Sequence, residues 1–371
     1  MTFGQIIGQQ RAKSLLRQLA YSERVPHALL LLGATGSGNL ALALAFAQLL
    51  QCESTQLSAT ADACGVCSAC RKAAQFAHPD IHFSFPTVGT NAVSTDYGKA
   101  WRQSLTANPY ADVYTWLQRL GADNKQGNIT KEECNAIVKK LSLKAFEGRY
   151  KILVLWMPEY LGKEGNRLLK LIEEPPDQTI FLLVAENQEA ILNTILSRCQ
   201  LVKTDILSDE EVAAGLQAQR GLDASRASQI AFLAGGDFHY ALQVADTPDH
   251  DDAQRLLEWL RKCWRGHPVE LVRWTEEFAK LGRENQKQFL QYGLHFLREL
   301  LVLVATGQTN LRLRADELAT AQNMSRVLNF EKIGRLAGIF NDNIYYIERN
   351  ANPKILFLDT SIQLNRILKS A

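Results

Sequence analysis

The stretch Ala28–Leu50, ALLLLGATGSGNLALALAFAQLL, decides the reading of the whole chain. Residues 28–32 are a continuous apolar run, 33–38 are rich in glycine, and 39–50 are apolar on every side, which predicts a buried strand, a tight turn and a buried helix. A phosphate-binding loop has this build. In its working form, G-x-x-x-x-G-K-[ST], backbone N–H groups curl around phosphates, the lysine reaches the β/γ-phosphates and the hydroxyl holds Mg²⁺. Gly33, Gly36 and Gly38 keep the turn, but Asn39 and Leu40 stand at the lysine and hydroxyl positions. Asparagine brings no charge to a phosphate, and leucine brings no oxygen to a metal. The stretch reads as a nucleotide-binding loop whose chemistry has been removed; an accidental glycine cluster between a strand and a helix is the plainer alternative.

Outward from this loop, 371 residues are too many for one compact core and predict two or three domains. The formal net charge of +2, from 41 basic and 39 acidic residues, argues against a generally basic nucleic-acid-binding surface and leaves only local patches. No run approaches the roughly 20 apolar residues that span a bilayer, and MTFGQIIGQQRAK lacks the build of a signal peptide, so no membrane contact and a cytoplasmic location are expected. Four of the seven cysteines, Cys52, Cys64, Cys67 and Cys70, fall in the pattern C-x11-C-x2-C-x2-C. Four thiolates around one centre suit tetrahedral Zn²⁺ and a reducing compartment. An iron–sulfur cluster is the rival, although the downstream cysteine followed by proline is missing. Cys134, Cys199 and Cys263 are isolated and read as structural.

Residues 1–27 carry Ile6, Ile7, Leu15, Leu16 and Leu19 at near-helical spacing and read as a helical lead into the first strand. After His78-Pro79-Asp80, IHFSF reads as a second strand, and 86–128 as an insertion. Its Trp101, Tyr110, Tyr114 and Trp116, interleaved with Lys99, Arg102 and Arg119, can stack on single-stranded bases, but their helical spacing favours packing. A helix over 130–143 precedes KILVLWMP, a central parallel strand. In a nucleotide hydrolase that strand ends in an acidic pair; here the places fall among Leu155, Trp156 and Met157, with Glu159 offset and read as a surface residue. Both motifs have failed together. A helix stopped by Pro175-Pro176, another buried strand and a short helix ending at Ser197-Arg198-Cys199 complete a doubly wound α/β domain over 1–205. Ser208 with Glu211, Asp223, and Gly235-Gly236 before Asp237 punctuate a helical lid over 206–245, and the acidic run 246–252 reads as a linker opening an all-helical region, 246–371.

Taken together, these stretches resemble the delta-prime subunits of the bacterial DNA polymerase III clamp loader, relatives of the AAA+ ATPases. The specific pieces are the four-cysteine module, HPD at 78–80, LSLKAFEGRYKI at 141–152, NRLLKLIEEPP at 166–176 and ILSRC at 195–199; NPKILFLD at 352–359 is similar to that family's oligomerisation helix. The resemblance implies an AAA+ fold with a C-terminal collar and a subunit in a ring of five, not an enzyme by itself but part of a DNA-directed DNA polymerase holoenzyme. It would help to open the sliding clamp and place it on primed DNA. It also implies that Arg198 is presented to ATP bound by a neighbouring subunit, the other reading being a surface cap on a helix C-terminus. Lys170, Glu173 and Glu174 lie in the same run and read as structural or interface residues. The chain departs from an ATPase at the lid, where GGDFHYAL offers His239 in place of an arginine facing phosphate. The site residues expected are Arg198 acting in trans, Gly33, Gly36 and Gly38 as a vestigial loop that binds ATP weakly or not at all, and Cys52, Cys64, Cys67 and Cys70 on structural zinc. A self-sufficient AAA+ ATPase and a zinc-dependent nucleic-acid-binding module are the alternatives.

Overall fold

In a computed structural model, the described residues are 1–22, 25–54, 62–121, 127–246, 252–311, 313 and 315–369. The acidic stretch expected as a linker falls, from 247 to 251, outside the described residues, as do 55–61 of the cysteine loop. The chain divides into two compact units, Met1–Gln243 and Val244–Ala371.

The first unit is built on five parallel strands: β1 (Ala28–Leu32), β2 (Ile81–Ser84), β3 (Lys151–Trp156), β4 (Thr179–Ala185) and β5 (Gln200–Lys203). Their order across the sheet is β2-β3-β4-β1-β5, so β3 and β4 are inserted between the first two strands in sequence. Leu30 lies opposite Leu183 of β4 and Leu201 of β5. Every residue of β3 and β4 is buried, which explains runs of apolar residues with no alternation. Ala28, Leu30, Leu153, Leu155, Phe181 and Leu183 point to one face. The intervening helices in chain order are α1 (Gln10–Tyr21), α2 (Asn39–Leu50), α3 (Ser68–Ala74), α4 (Gly98–Ala107), α5 (Val113–Arg119), α6 (Lys131–Ser142), α7 (Leu169–Glu173) and α8 (Asn193–Leu196). All twelve residues of α2 are buried, and it packs on β1, β3 and β4, as a helix apolar all round must.

Two local readings need correction. The lead into β1 is a short 3-10 turn, Phe3–Gln5, and α-helical only from Gln10, because Gly8 and Gln9 between them take left-handed backbone angles (φ 56° and 60°). The run before Pro175 is mostly 3-10 helix, Pro158–Leu168, broken at Gly162, with only α7 as regular α-helix.

The aromatic residues of the insertion are core. Trp101 and Trp116 are buried, Trp101 stacks on Phe85 with centroids 4.2 Å apart, and Trp156 at the end of β3 joins them at 5.1 Å. The Trp116 indole donates to the Pro86 carbonyl at 2.8 Å, which satisfies its one polar atom.

β5 leads to α9 (Asp209–Arg220), α10 (Ala224–Ala234) and α11 (Phe238–Asp246), the last of which runs past the boundary of the first unit at Gln243. Ser208 and Glu211 form a capping box at α9, Asp223 caps α10, and Gly235 closes α10 in the left-handed region. The second unit holds α12 (Asp252–Arg265), α13 (Pro268–Phe278), α14 (Arg283–Thr306), α15 (Ala315–Met324), α16 (Phe330–Glu348) and α17 (Pro353–Lys369). Its core centres on Trp259, whose ring lies 5.1 Å from that of Trp274 at 8° and whose N–H donates to Ser361 at 2.9 Å.

Candidate functional site: a degenerate nucleotide loop and a cysteine cluster

The loop 33–38 joins β1 to α2 as a phosphate loop does. Gly36 and Gly38 take φ of 70° and 95°, angles that a side chain disfavours, so the turn still demands glycine. Asn39, at the lysine position, is buried, and its amide donates to the carbonyls of Ala185 at 3.1 Å and Gly33 at 3.4 Å. A side chain that would reach out to phosphate is thus folded back to tie α2 to the ends of β1 and β4. Leu40 is 4% exposed and belongs to the core. The Ser37 hydroxyl meets Thr204 at 3.0 Å.

Acidic groups surround this loop. Thr35 donates to Glu186 at 2.8 Å, and Asp237 lies so close to Gly36 that a Cβ there would sit 1.9 Å from its carboxylate. Burial pushes Glu186 up to about 7 and Asp237 to about 6, and neighbouring carboxylates add to both shifts. Glu159 is the offset acid expected on the surface; it is half-buried instead. Its Oε1 accepts from the backbone N–H groups of Glu186 at 2.7 Å and Asn187 at 2.8 Å, and Oε2 is enclosed without a partner. It caps the end of β4. The glycine turn thus faces carboxyl groups.

The linkage follows from the direction of these shifts. A carboxyl group whose pKa is raised on folding costs stability above that raised pKa, and the cost fades as pH falls towards the unfolded value. Glu186→Gln, which keeps an acceptor for Thr35, is expected to stabilise the fold by about 1 to 2 kcal/mol at pH 8, with the gain shrinking by pH 5. Denaturant titrations at the two pH values check this, and an equal gain at both would contradict it.

Segment 108–116 of the insertion lies on the loop and on α11. Tyr110 packs against Gly38, accepts from the Ile7 N–H at 3.0 Å and meets the Phe238 ring edge-on at 5.0 Å. His239 is buried between Asn108, 2.8 Å from Nδ1, and Thr115, 3.0 Å from Nε2, with the Asp112 carboxylate at 3.5 Å. Burial opposes the charge of Asp112, yet His239 and Thr115 hold it down at about 2. This cover is not legible from local sequence, because Ile7 and His239 lie more than a hundred residues from their partners in the segment.

The sulfurs of Cys52, Cys64, Cys67 and Cys70 all lie within 4.8 Å of one another and can hold a metal ion. Backbone N–H groups of Cys64, Cys67 and Cys70 point at the sulfurs of Cys52, Cys64 and Cys67 at 3.3 to 3.4 Å. N–H groups of Val66 and Cys67 lower Cys64 to about 6, whereas burial raises Cys52 and Cys70. Asp62 beside the cluster accepts from Phe3 and Gly4 at 3.1 and 2.8 Å and so fastens the N-terminal lead to it.

Arg198 follows α8 and is one-third exposed. Its Nη1 donates to Thr194 O at 2.6 Å and Ser197 Oγ at 3.1 Å, and its Nη2 pairs with Glu173 at the end of α7. The IEEPP and SRC segments, apart in sequence, are therefore joined through this arginine.

The sequence pattern that defines the family described as "DNA polymerase III, delta subunit" matches residues 8–207, more than half of the chain. The chain belongs to this DNA polymerase III delta subunit family. Among curated relatives, DNA polymerase III subunit tau of Escherichia coli (strain K12) is 26% identical over 212 residues, covering 57% of this chain and 26% of its own length. DNA polymerase III subunit delta' of Bacillus subtilis (strain 168) is 26% identical over 193 residues, covering 52% of this chain and 46% of its own. The chain thus spans less than half the length of these two relatives. Among solved structures, a DNA polymerase III gamma subunit-related protein from Thermotoga maritima aligns with 96% of this chain and 100% of its own, at 12% identity and a TM-score of 0.42. The delta subunit match runs from the lead before α1 to the end of the sheet region and contains the loop, the cysteine cluster and Arg198.

Proposed function

We propose that this chain is a non-hydrolysing clamp-loader subunit of DNA polymerase III, which helps to load the sliding clamp onto primed DNA and presents Arg198 to ATP held by a neighbouring subunit. The observation that carries this reading is the state of the loop: Asn39 is turned back onto strand carbonyls and carboxylates ring the glycines, in a chain of the delta subunit family. Such a chain has no ATPase chemistry of its own. Its partners are the ATPase subunits and the clamp-opening subunit, with clamp and DNA reached through the complex. In the second unit, α17 leaves Ile355 and Ile362 exposed, apolar surface that suits assembly through this helix. No helix among the described residues is long and apolar enough to cross a membrane, in keeping with a cytoplasmic complex.

The cysteine cluster fits structural zinc. Tetrahedral Zn–S bonds of about 2.3 Å place sulfurs about 3.8 Å apart, and Cys64 and Cys70 stand 3.9 Å apart. Four sulfurs with no histidine or carboxylate among them make a closed site, which supplies folding energy and no open coordination position.

Two measurements test the reading. Co-purification with the ATPase and clamp-opening subunits is expected from mixed lysates; failure to co-assemble would end it. The isolated chain should hydrolyse ATP no faster than a buffer blank, and turnover that is lost in Gly38→Val would instead establish a self-sufficient ATPase.

A further inference from the structure

We propose that segment 108–116 of the insertion is the resident ligand of the degenerate nucleotide site, and that it joins the helical unit α9–α11 to the sheet in place of a nucleotide. Three surfaces meet at this loop: the glycine turn, the lead before β1, whose Ile6 lies against Gly38, and the start of α11, whose Phe238 N–H donates to Gly36 O. This one segment meets all three. Tyr110 covers Gly38 and takes the Ile7 N–H, and its ring packs on Phe238 at the start of α11. The carboxylate of Asp112 lies 3.5 Å from His239, the residue standing where an ATPase lid would offer arginine to phosphate. Asn108 occupies the other ring nitrogen of His239.

The segment is held from its own side as well. Asp112 caps α5 by accepting from Thr115, Asn108 accepts from the Tyr110 N–H at 2.9 Å, and Trp116 is locked into the aromatic core. The lid touches the loop directly too, through the Phe238 N–H donating to Gly36 O at 3.2 Å. A nucleotide comes and goes, whereas this ligand is covalently part of the chain, so the site is held in one liganded arrangement with no cycle of exchange. The inference rests on contacts within the first unit and stands whether or not the chain assembles with a clamp loader.

Amide hydrogen exchange on the full chain tests it. Tyr110→Phe removes only the hydroxyl that takes the Ile7 N–H, and Asp112→Asn removes only the charge facing His239. Loss of one such bond is expected to speed exchange of residues 238–243 by about tenfold in each variant, and by more in the pair. Exchange of β1 and β3 should stay as in the wild type, which separates loosening of the lid from general unfolding. Tyr110→Ala, which also vacates the surface over Gly38, should give the largest effect. If exchange rises over 108–116 while 238–243 keeps wild-type protection in all four variants, the segment merely rests on the lid and the proposal fails.

Discussion

On the proposed role, Arg198→Ala in a reconstituted complex is expected to abolish hydrolysis at one ATP site, that of a neighbouring subunit, while leaving this chain folded and assembled. An arginine delivered from outside the nucleotide's own subunit contributes about 10³ to 10⁵ in rate, because phosphoryl transfer spreads charge over oxygens that a fixed guanidinium meets directly. Total ATPase should fall only in part, since the other sites keep their arginines, and clamp loading, which needs the sites to act in concert, should fall further. The bonds of the side chain suit the proposed role. Thr194, Ser197 and Glu173 take three of its five N–H donors, which fixes the plane and leaves Nε and one Nη2 hydrogen unclaimed among the described residues. Lysine should rescue poorly, since a single ammonium cannot keep the tether to Thr194 and Glu173 while offering a second edge to phosphate. DNA-stimulated ATPase and clamp-loading rates of the wild type, Arg198→Ala and Arg198→Lys decide the matter. Equal rates in all three would make Arg198 a brace between two segments and nothing more.

Removal of the metal should have the largest effect on the first unit itself. One zinc per chain is expected by elemental analysis, and Cys70→Ser, at the buried end of the cluster, should release it. Structural zinc sites supply roughly 10 kcal/mol or more of apparent binding energy, all of it available to folding. The damage should spread beyond the module, because Asp62 holds the amides of Phe3 and Gly4. Proteolysis after chelation is therefore expected first around residues 52–74 and then in the first seven residues, with the sheet still resistant. Iron in place of zinc, or a module that stays protected without metal, would contradict the assignment.

Particular residues show what the sequence discloses and what it hides. Strands β1, β3 and β4 were legible because a strand buried on both faces must be apolar throughout, and Leu29–Leu31, Ile152–Trp156 and Ile180–Ala185 are. The cysteine cluster was legible because three of its members lie within seven residues, close enough for spacing to fix their geometry. Glu159 was misread because its partners, the amides of Glu186 and Asn187, lie at the end of a different strand. An acid after a strand reads as exposed until the neighbouring strand is in place. The insertion was opaque for the same reason on a larger scale. Its tryptophans announce burial, but nothing in 108–116 names Ile7, Gly38 or His239 as the surfaces to be covered.

The turned-back amide of Asn39 has a consequence for substitutions at the start of α2. Lysine at 39 would remove the bonds to Gly33 O and Ala185 O. A hydroxyl at 40 would place an oxygen in the apolar core. Either change therefore costs contacts that hold α2 in place. On the proposed reading of the loop, several of these contacts would have to be undone together, so no single substitution at Asn39 or Leu40 is expected to produce an ATPase.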